Sequence, residues 1–334
     1  MLRRPNIKTL DSVSEENSGA TLPYSSTARN DGASTVTTAH PNVVFSRNES
    51  SARSSGDSFP SMTVFIDNTF AEVWRGEPFA RALRQQGEVF REKEGRRTLR
   101  FSAGGNSYFL KLHQGVGWME IIKNLAQWRL PVVSARNEWR AINKLRELNL
   151  HAPSVVAYGN RGLNPARRLS FLVTEELSGS ISLEELCARW RERPPDATAK
   201  RALIAQVANL TRAMHAGGVN HRDFYLCHLR IDNSAAAADD LAAGDARLTV
   251  LDLHRAQIRR KTPSRWAVKD LGGLYFSARD IGLTARDVLR FMKTYRRKTV
   301  RELADERAFW TRVARKAKRI HHGDFGRAPA LPLG

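Results

Sequence analysis

Four ionisable residues, Lys111, Glu138, Asp223 and Asp252, stand in four different local patterns, and few folds accept that succession. Ser107 to Leu112 alternates, with Tyr108, Leu110 and Leu112 on one face of a strand and Phe109 and Lys111 on the other. Gly87 to Phe101 reads as two earlier strands around a turn at Gly95, and Gly104-Gly105-Asn106 turns the chain into the Lys111 strand. Three antiparallel strands in succession are expected. Ala135 to Leu148 reads as an amphipathic helix whose apolar stripe is Ala135, Trp139, Ile142 and Leu145. Glu138 borders that stripe, where a carboxylate needs a partner. Ser154 to Tyr158 and Leu169 to Thr174 read as two more strands, and Thr174 to Gly179 breaks the pattern as a hinge would.

The second half changes character. Leu203, Val207, Leu210 and Met214 recur at helical spacing between Ala199 and His215, and Gly217-Gly218 ends that helix. A short polar stretch carries His221-Arg222-Asp223, and Leu248 to Asp252 is a short apolar strand closing on a carboxylate. Beyond Trp266 two or three helices are expected, the last of them basic.

Five strands with a helix inserted after the third, then a helical half, is the plan of a two-lobed kinase-like α+β fold. We place the smaller, sheet-bearing lobe at residues 62–175 and the larger, mainly helical lobe at 176–334. Phosphoryl transfer needs charge neutralised on nucleotide phosphates and two oxygens held in line. On this plan Lys111 meets the α/β-phosphates of ATP and is steadied by Glu138, while Asp223 orients the acceptor hydroxyl. Asp252 binds Mg²⁺, a hard cation that takes oxygen ligands. Two departures stand out. The turn at Gly95 lacks a G-x-G-x-x-G loop, so Arg96 and Arg97 either cover phosphates or face solvent. Five residues after Asp223, where protein kinases carry an asparagine metal ligand, stands His228, which either contacts a phosphate or reaches the metal through water. His221 reads as a hydrogen-bonder beneath the loop, and Arg222 as orienting the loop or pairing with a carboxylate. Asp270, expected just before a helix, either holds the loop backbone or is a carboxylate at a helix N-terminus. The side chains of Glu175 and Glu176 read as incidental, and Cys187 and Cys227 as packing.

These segments resemble the lipopolysaccharide core heptose(I) kinases of Gram-negative bacteria. The resemblance runs from about Met62 to about residue 320. It rests on Gln86–Glu92, Arg96–Arg100, Glu120–Leu125, Asn220–Asp223, Tyr225 and Cys227-His228. Leu253-His-Arg-Ala-Gln-Ile258, Lys269-Asp-Leu271, Tyr275-Phe-Ser277 and Asp280–Thr284 complete it, and within this family His228 belongs to the pattern. The resemblance implies ATP- and Mg²⁺-dependent transfer to the 4-hydroxyl of the first heptose of the inner core. It puts the catalytic aspartate at Asp223 and places the work on the cytoplasmic face of the inner membrane.

Charge agrees with such an acceptor. The chain carries 54 Lys and Arg against 34 Asp and Glu, a net +20 that favours anionic partners. Arg255, Arg259, Arg260, Lys261 and Arg265 form one cluster that could meet lipid A phosphates and acidic sugars of the lipid A–Kdo–heptose acceptor. Arg296, Arg297, Lys298, Arg315, Lys316, Lys318 and Arg319 form a second, which reads equally as a solvated helix face. Peripheral contact with anionic lipid fits the same charge. Whether a small acidic protein partner is needed stays open. A nucleic-acid-binding protein would share the charge but leaves the ordered series unexplained, so no nucleic-acid partner is expected. A protein kinase would use the same catalytic groups, yet Leu253 to Asp270 is short for an activation segment and lacks Ala-Pro-Glu. Residues 1–61 are rich in Ser and Thr without an apolar period, and read as a disordered, dispensable tail or a misread start. Two cysteines exclude a disulfide scaffold, and no apolar run approaches the ~20 residues of a membrane span.

Overall fold

The structure, a computed structural model, describes residues 62–325 apart from 94, 116, 127–133, 235–240, 242 and 244–245. The segment 1–61, expected to be a dispensable tail, lies outside the described residues.

The chain opens with β1 (Met62–Ile66), α1 (Asn68–Val73) and α2 (Pro78–Arg84). Then come β2 (Glu88–Lys93), β3 (Arg96–Ala103), β4 (Asn106–Gln114), α3 (Gly117–Ala126) and α4 (Arg136–Glu147), followed by β5 (Val155–Arg161) and β6 (Leu169–Glu175). The strands form one antiparallel sheet in the order β1-β5-β6-β4-β3-β2. Its sixth strand was not read from the sequence: β1 pairs along β5 from Met62↔Arg161 to Ile66↔Ala157. Gly104 and Gly105, both at positive φ, make the two-residue turn between β3 and β4.

The sheet has two different faces. On one, α1 and α2 bring Phe70, Trp74 and Phe79 onto Leu99, Tyr108, Leu110, Leu112 and Phe171. Both helices are short and lean on their first turns. The Asp67 carboxylate accepts from the backbone of Thr69 and Phe70, and Glu77 accepts from Ala80 ahead of Pro78. Trp74 Nε1 donates to Gln85 at 3.0 Å, satisfying its one polar atom. The other face meets α4. Ile142 and Leu145 are buried there, and Trp139 stacks on Tyr158 with ring centroids 4.4 Å apart. This second core continues into the helical half through Leu172, Met214, Phe224 and Leu229.

That half contains β7 (Ser180–Ser182), α5 (Leu183–Cys187), α6 (Ala197–Ala216), β8 (Val219–Asn220), β9 (Leu229–Asp232), β10 (Thr249–Val250) and β11 (Gln257–Ile258). It closes with α7 (Ser264–Ser277), α8 (Ala285–Arg296), α9 (Val300–Ala304) and α10 (Arg307–Phe325). A sheet carrying one cleft-facing helix, joined to a mainly helical half, is the kinase-like arrangement. Four helices follow β11, where the sequence suggested two or three. Trp266 and Asp270 both lie inside α7 rather than ahead of it. The pair Gly272-Gly273 sits inside α7 and answers to packing. A Cβ on Gly273 would stand 2.9 Å from the Phe224 carbonyl oxygen, and one on Gly272 2.6 Å from Lys316 Cγ. Gly273 lets α7 approach the loop that carries Asp223, and Gly272 lets it approach α10.

Because Leu145 is fully buried where α4 meets the sheet, Leu145→Ala should cost about 2–5 kcal/mol of unfolding free energy. Urea denaturation measures it; a loss below about 1 kcal/mol would mean that α4 is not held by this packing.

Candidate active site

Strand register decides which side chains enter the cleft. Lys111 pairs with Thr98 and Leu172, and Arg96 with His113, so Lys111, Arg96 and His113 share the face turned to α4. Arg97 pairs with Leu112 and falls on the opposite face, with Leu99 and Leu110. Of the two arginines expected either to cover phosphates or to face solvent, the register thus turns Arg96 to the cleft side and Arg97 away from it, since neighbours on one strand point to opposite sides.

Glu138 is buried on the first turn of α4 and receives Lys111 Nζ at 2.6 Å. The same nitrogen lies 3.8 Å from Asp252 Oδ1. Burial pulls the Lys111 ammonium down, but Glu138 and Asp252 more than offset it and hold the group above its ordinary value. Beside Glu138, Asn137 Nδ2 donates to the carbonyls of His254 (2.8 Å) and Ala256 (2.7 Å), tying α4 to the segment after Asp252.

The loop after β8 hangs from Asp270. That carboxylate has no exposure, and accepts the backbone N–H of His221 and of Arg222, each at 2.7 Å. His215 Nε2 lies 3.3 Å from it. The loop-holding reading of Asp270 thus has direct contacts, and its mid-helix position removes the N-terminal alternative. Arg222 takes φ +75°, a conformation unusual outside glycine. His221 Nε2 donates to Leu251 O at 2.7 Å, beneath the loop, and burial holds this imidazole below its ordinary pKa.

Three side chains converge on the two aspartates. His228 Nδ1 donates to the Asp223 carbonyl at 2.7 Å, which directs Nε2 to within 3.6 Å of Asp252 Oδ2. His254 Nδ1 donates to Asp252 Oδ1 at 2.5 Å. Burial opposes ionisation of Asp252, but His254, Lys111 and His228 together keep its carboxyl far below the usual range. Arg255 Nη1 donates to both Asp223 oxygens at 3.0 Å. Among the described residues no trio of His, Cys, Asp or Glu is arranged to hold a metal by itself. Asp252, with His228 beside it, offers a partial donor set, and such a set suits Mg²⁺, which keeps waters and shares phosphate ligands.

The first basic cluster is divided among different surroundings. Arg255 is on Asp223, Arg259 donates to Asn220 Oδ1 (2.7 Å) and Gln257 Oε1 (2.8 Å), and Arg260, Lys261 and Arg265 are exposed. The second is divided by structure: Arg296 and Lys298 pair with Glu306, and Arg296 lies 4.1 Å over the Phe309 ring. Glu176 is not incidental, since Arg100 Nε and Nη2 both reach its Oε2 at 2.8 Å and fix the chain after β6 to β3. Burial pushes both the Cys187 and Cys227 thiols up to about 12, so neither is a nucleophile at neutral pH. Sequence reasoning missed Asn137 and His254. Asn137 acts through backbone carbonyls and leaves no pattern, whereas His254 stood in plain view two residues from Asp252.

A sequence model of the Lipopolysaccharide kinase (Kdo/WaaP) family matches residues 80–295. The chain belongs to this family. It is 49% identical over 262 residues to the lipopolysaccharide core heptose(I) kinase WaaP of Pseudomonas aeruginosa, covering 78% of this chain and 96% of that one. The corresponding Escherichia coli kinase is 47% identical over 259 residues, covering 77% and 96%. A solved structure titled "WaaP in complex with acyl carrier protein" superposes with a TM-score of 0.66 at 45% identity, covering 77% of this chain and 99% of that one. Membership in this kinase family implies use of ATP.

In this family member His113 supplies a pH test. Burial, reinforced by Arg96, Lys111 and His254, pushes its imidazole down to about 3. Between that value and ~6.5 the unfolded chain binds a proton that the folded chain refuses, so stability falls as pH falls. From pH 7 to pH 5 the wild type should lose about 2 kcal/mol through this residue, and His113→Gln should lose correspondingly less in urea melts. An equal loss in both would mean that folded His113 protonates normally.

Proposed function

We propose that this protein transfers the γ-phosphoryl group of ATP to the 4-hydroxyl of the first heptose of the lipopolysaccharide inner core. The observation that carries the reading is the convergence of Lys111–Glu138, Asp223 and Asp252 in one cleft of a lipopolysaccharide kinase family member.

Each residue then has a defined task. Lys111, its position set by Glu138, receives the nucleotide phosphates, and Arg96 on the same face adds charge at the Gly95 turn. Asp252 would hold Mg²⁺, with His228 reaching the ion through water or contacting a phosphate, and the ion would offset phosphate charge. Asp223 accepts the proton of the acceptor hydroxyl as that oxygen bonds phosphorus and the bond to the β-phosphate oxygen breaks. Arg255 fixes the plane of the Asp223 carboxylate, and His228 fixes its backbone. Asp270 works one step back by setting the loop.

We also propose a small acidic carrier protein as partner and peripheral contact with the cytoplasmic face of the inner membrane. The net +20 supports the first, as does an apolar cavity lined by Leu183, Trp190, Leu203, Leu274 and Phe291 that could take an apolar chain presented by a carrier. The second is supported by α3, which exposes Trp118, Met119 and Ile122, the kind of side chains that enter a lipid interface. No helix among the described residues is long and apolar enough to cross a membrane.

The test is phosphate transfer from labelled ATP with Mg²⁺ to lipopolysaccharide lacking core heptose phosphate, beside a generic protein substrate. Label on the heptose is expected, and label on protein alone would replace this reading with a protein kinase. Asp223→Asn should lower turnover by at least about 10²-fold while ATP binding changes only a few-fold. Retained turnover would remove Asp223 from the mechanism.

A further inference from the structure

Four cations surround the indole of Trp266. Measured from the ring centroid, Arg222 Cζ lies at 5.3 Å, Arg265 Cζ at 5.5 Å, Arg259 Cζ at 5.6 Å and Lys269 Nζ at 5.8 Å. They arrive from separate places. Arg222 is in the catalytic loop, Arg259 follows β11, and Arg265 and Lys269 are one turn apart on α7. Like charges gathered this way repel unless a counter-charge joins them.

Among the described residues the two carboxylates whose charge reaches the cage, Asp223 and Asp270, are already engaged elsewhere. Asp223 is engaged by Arg255, and the Asp270 oxygens accept two backbone N–H groups. Among the described residues none of Arg222, Arg259, Arg265 and Lys269 makes an ion pair. Arg259 points its N–H groups at amide oxygens of Asn220 and Gln257, which hold its direction without cancelling its charge. Two buried donors in the cage, Trp266 Nε1 and Arg222 Nε, have no hydrogen-bond partner, and buried polar atoms are rarely left so. Burial, with Arg222 and Arg255 outweighing Asp223, pushes the Lys269 ammonium down to about 8. Burial, with Arg255 adding to it, lowers Arg222 from its ordinary value.

The position identifies the ligand class. The charges acting on Asp252, on the nucleotide side, are those of Lys111, His254 and His228. The cage instead includes Arg222, the residue next to Asp223, the group that meets the acceptor hydroxyl, and the Asp223 charge also reaches Lys269. We propose that Trp266, Arg222, Arg259, Arg265 and Lys269 form an oxyanion subsite for the acceptor glycolipid, a sugar carboxylate or a phosphate monoester held beside the hydroxyl that reacts. This rests on the glycolipid kinase reading and adds to it a charged determinant of acceptor choice. Guanidinium groups suit the task because their paired N–H donors match both kinds of oxyanion.

Steady-state kinetics of Lys269→Met and Arg265→Gln test it. The KM for acceptor should rise about ten-fold, with kcat and the KM for ATP within two-fold, and Lys269→Arg should restore most of the loss. The source of the oxyanion comes from two modified acceptors, one with its sugar carboxylates amidated and one with its lipid phosphates removed. The acceptor lacking the recognised group should bind wild type weakly, by titration calorimetry, and be indifferent to the substitutions. The subsite is overturned if the acceptor KM does not move. It is equally overturned if both modified acceptors respond to the substitutions as the native one does. Failure of the underlying reading looks different, because wild type would then leave the heptose unlabelled.

Discussion

A carboxylate with no exposure to water has to be answered by donors, and in this protein the answer to Asp270 is the loop that carries Asp223. Its two oxygens take the backbone N–H groups of His221 and Arg222. Leaving either side unpaired would expose a buried charge to its full desolvation penalty, several kcal/mol in effect. That penalty sustains the left-handed backbone of Arg222, a conformation costing about 1–3 kcal/mol at a non-glycine residue. From there the geometry is inherited. The Asp223 carbonyl fixes His228 through Nδ1, and the other ring nitrogen is thereby aimed at Asp252. His215, which faces Asp270 with one nitrogen and Tyr295 with the other at 2.9 Å, extends the same network to α6 and α8.

Around this scaffold the charges are arranged asymmetrically. On the nucleotide side the protein neutralises its own cation, since Lys111 already has Glu138 and a nearby Asp252. On the acceptor side the cations near Trp266 outnumber the carboxylates free to meet them. One half of the cleft is electrostatically complete and the other is completed by what binds.

Sequence patterns that depend on a short period were legible. The alternation through Lys111 puts Tyr108, Leu110 and Leu112 into the core, and the helical stripe before Leu148 brings Glu138 to the lysine. The same two-residue period was available for Arg96 and Arg97 and separates them once the register is counted. Other features leave little trace. α1 and α2 are helices of under two turns stabilised by Asp67 and Glu77 caps, and β1 is five residues whose partner lies about a hundred positions away. Asn137 could not be singled out, as an amide that recognises backbone carbonyls requires no particular residue opposite it.

The two carbonyls held by Asn137 also bear on timing. Many phosphotransferases of this architecture wait for a helix to swing inward before lysine and glutamate meet. Here the residue next to Glu138 grips the chain on both sides of Arg255, tying the helix to the segment that follows Asp252 and to the arginine that meets Asp223. Moving α4 away from the cleft would break both of these hydrogen bonds as well as the Lys111–Glu138 pair, so the closed arrangement is held at two separate points.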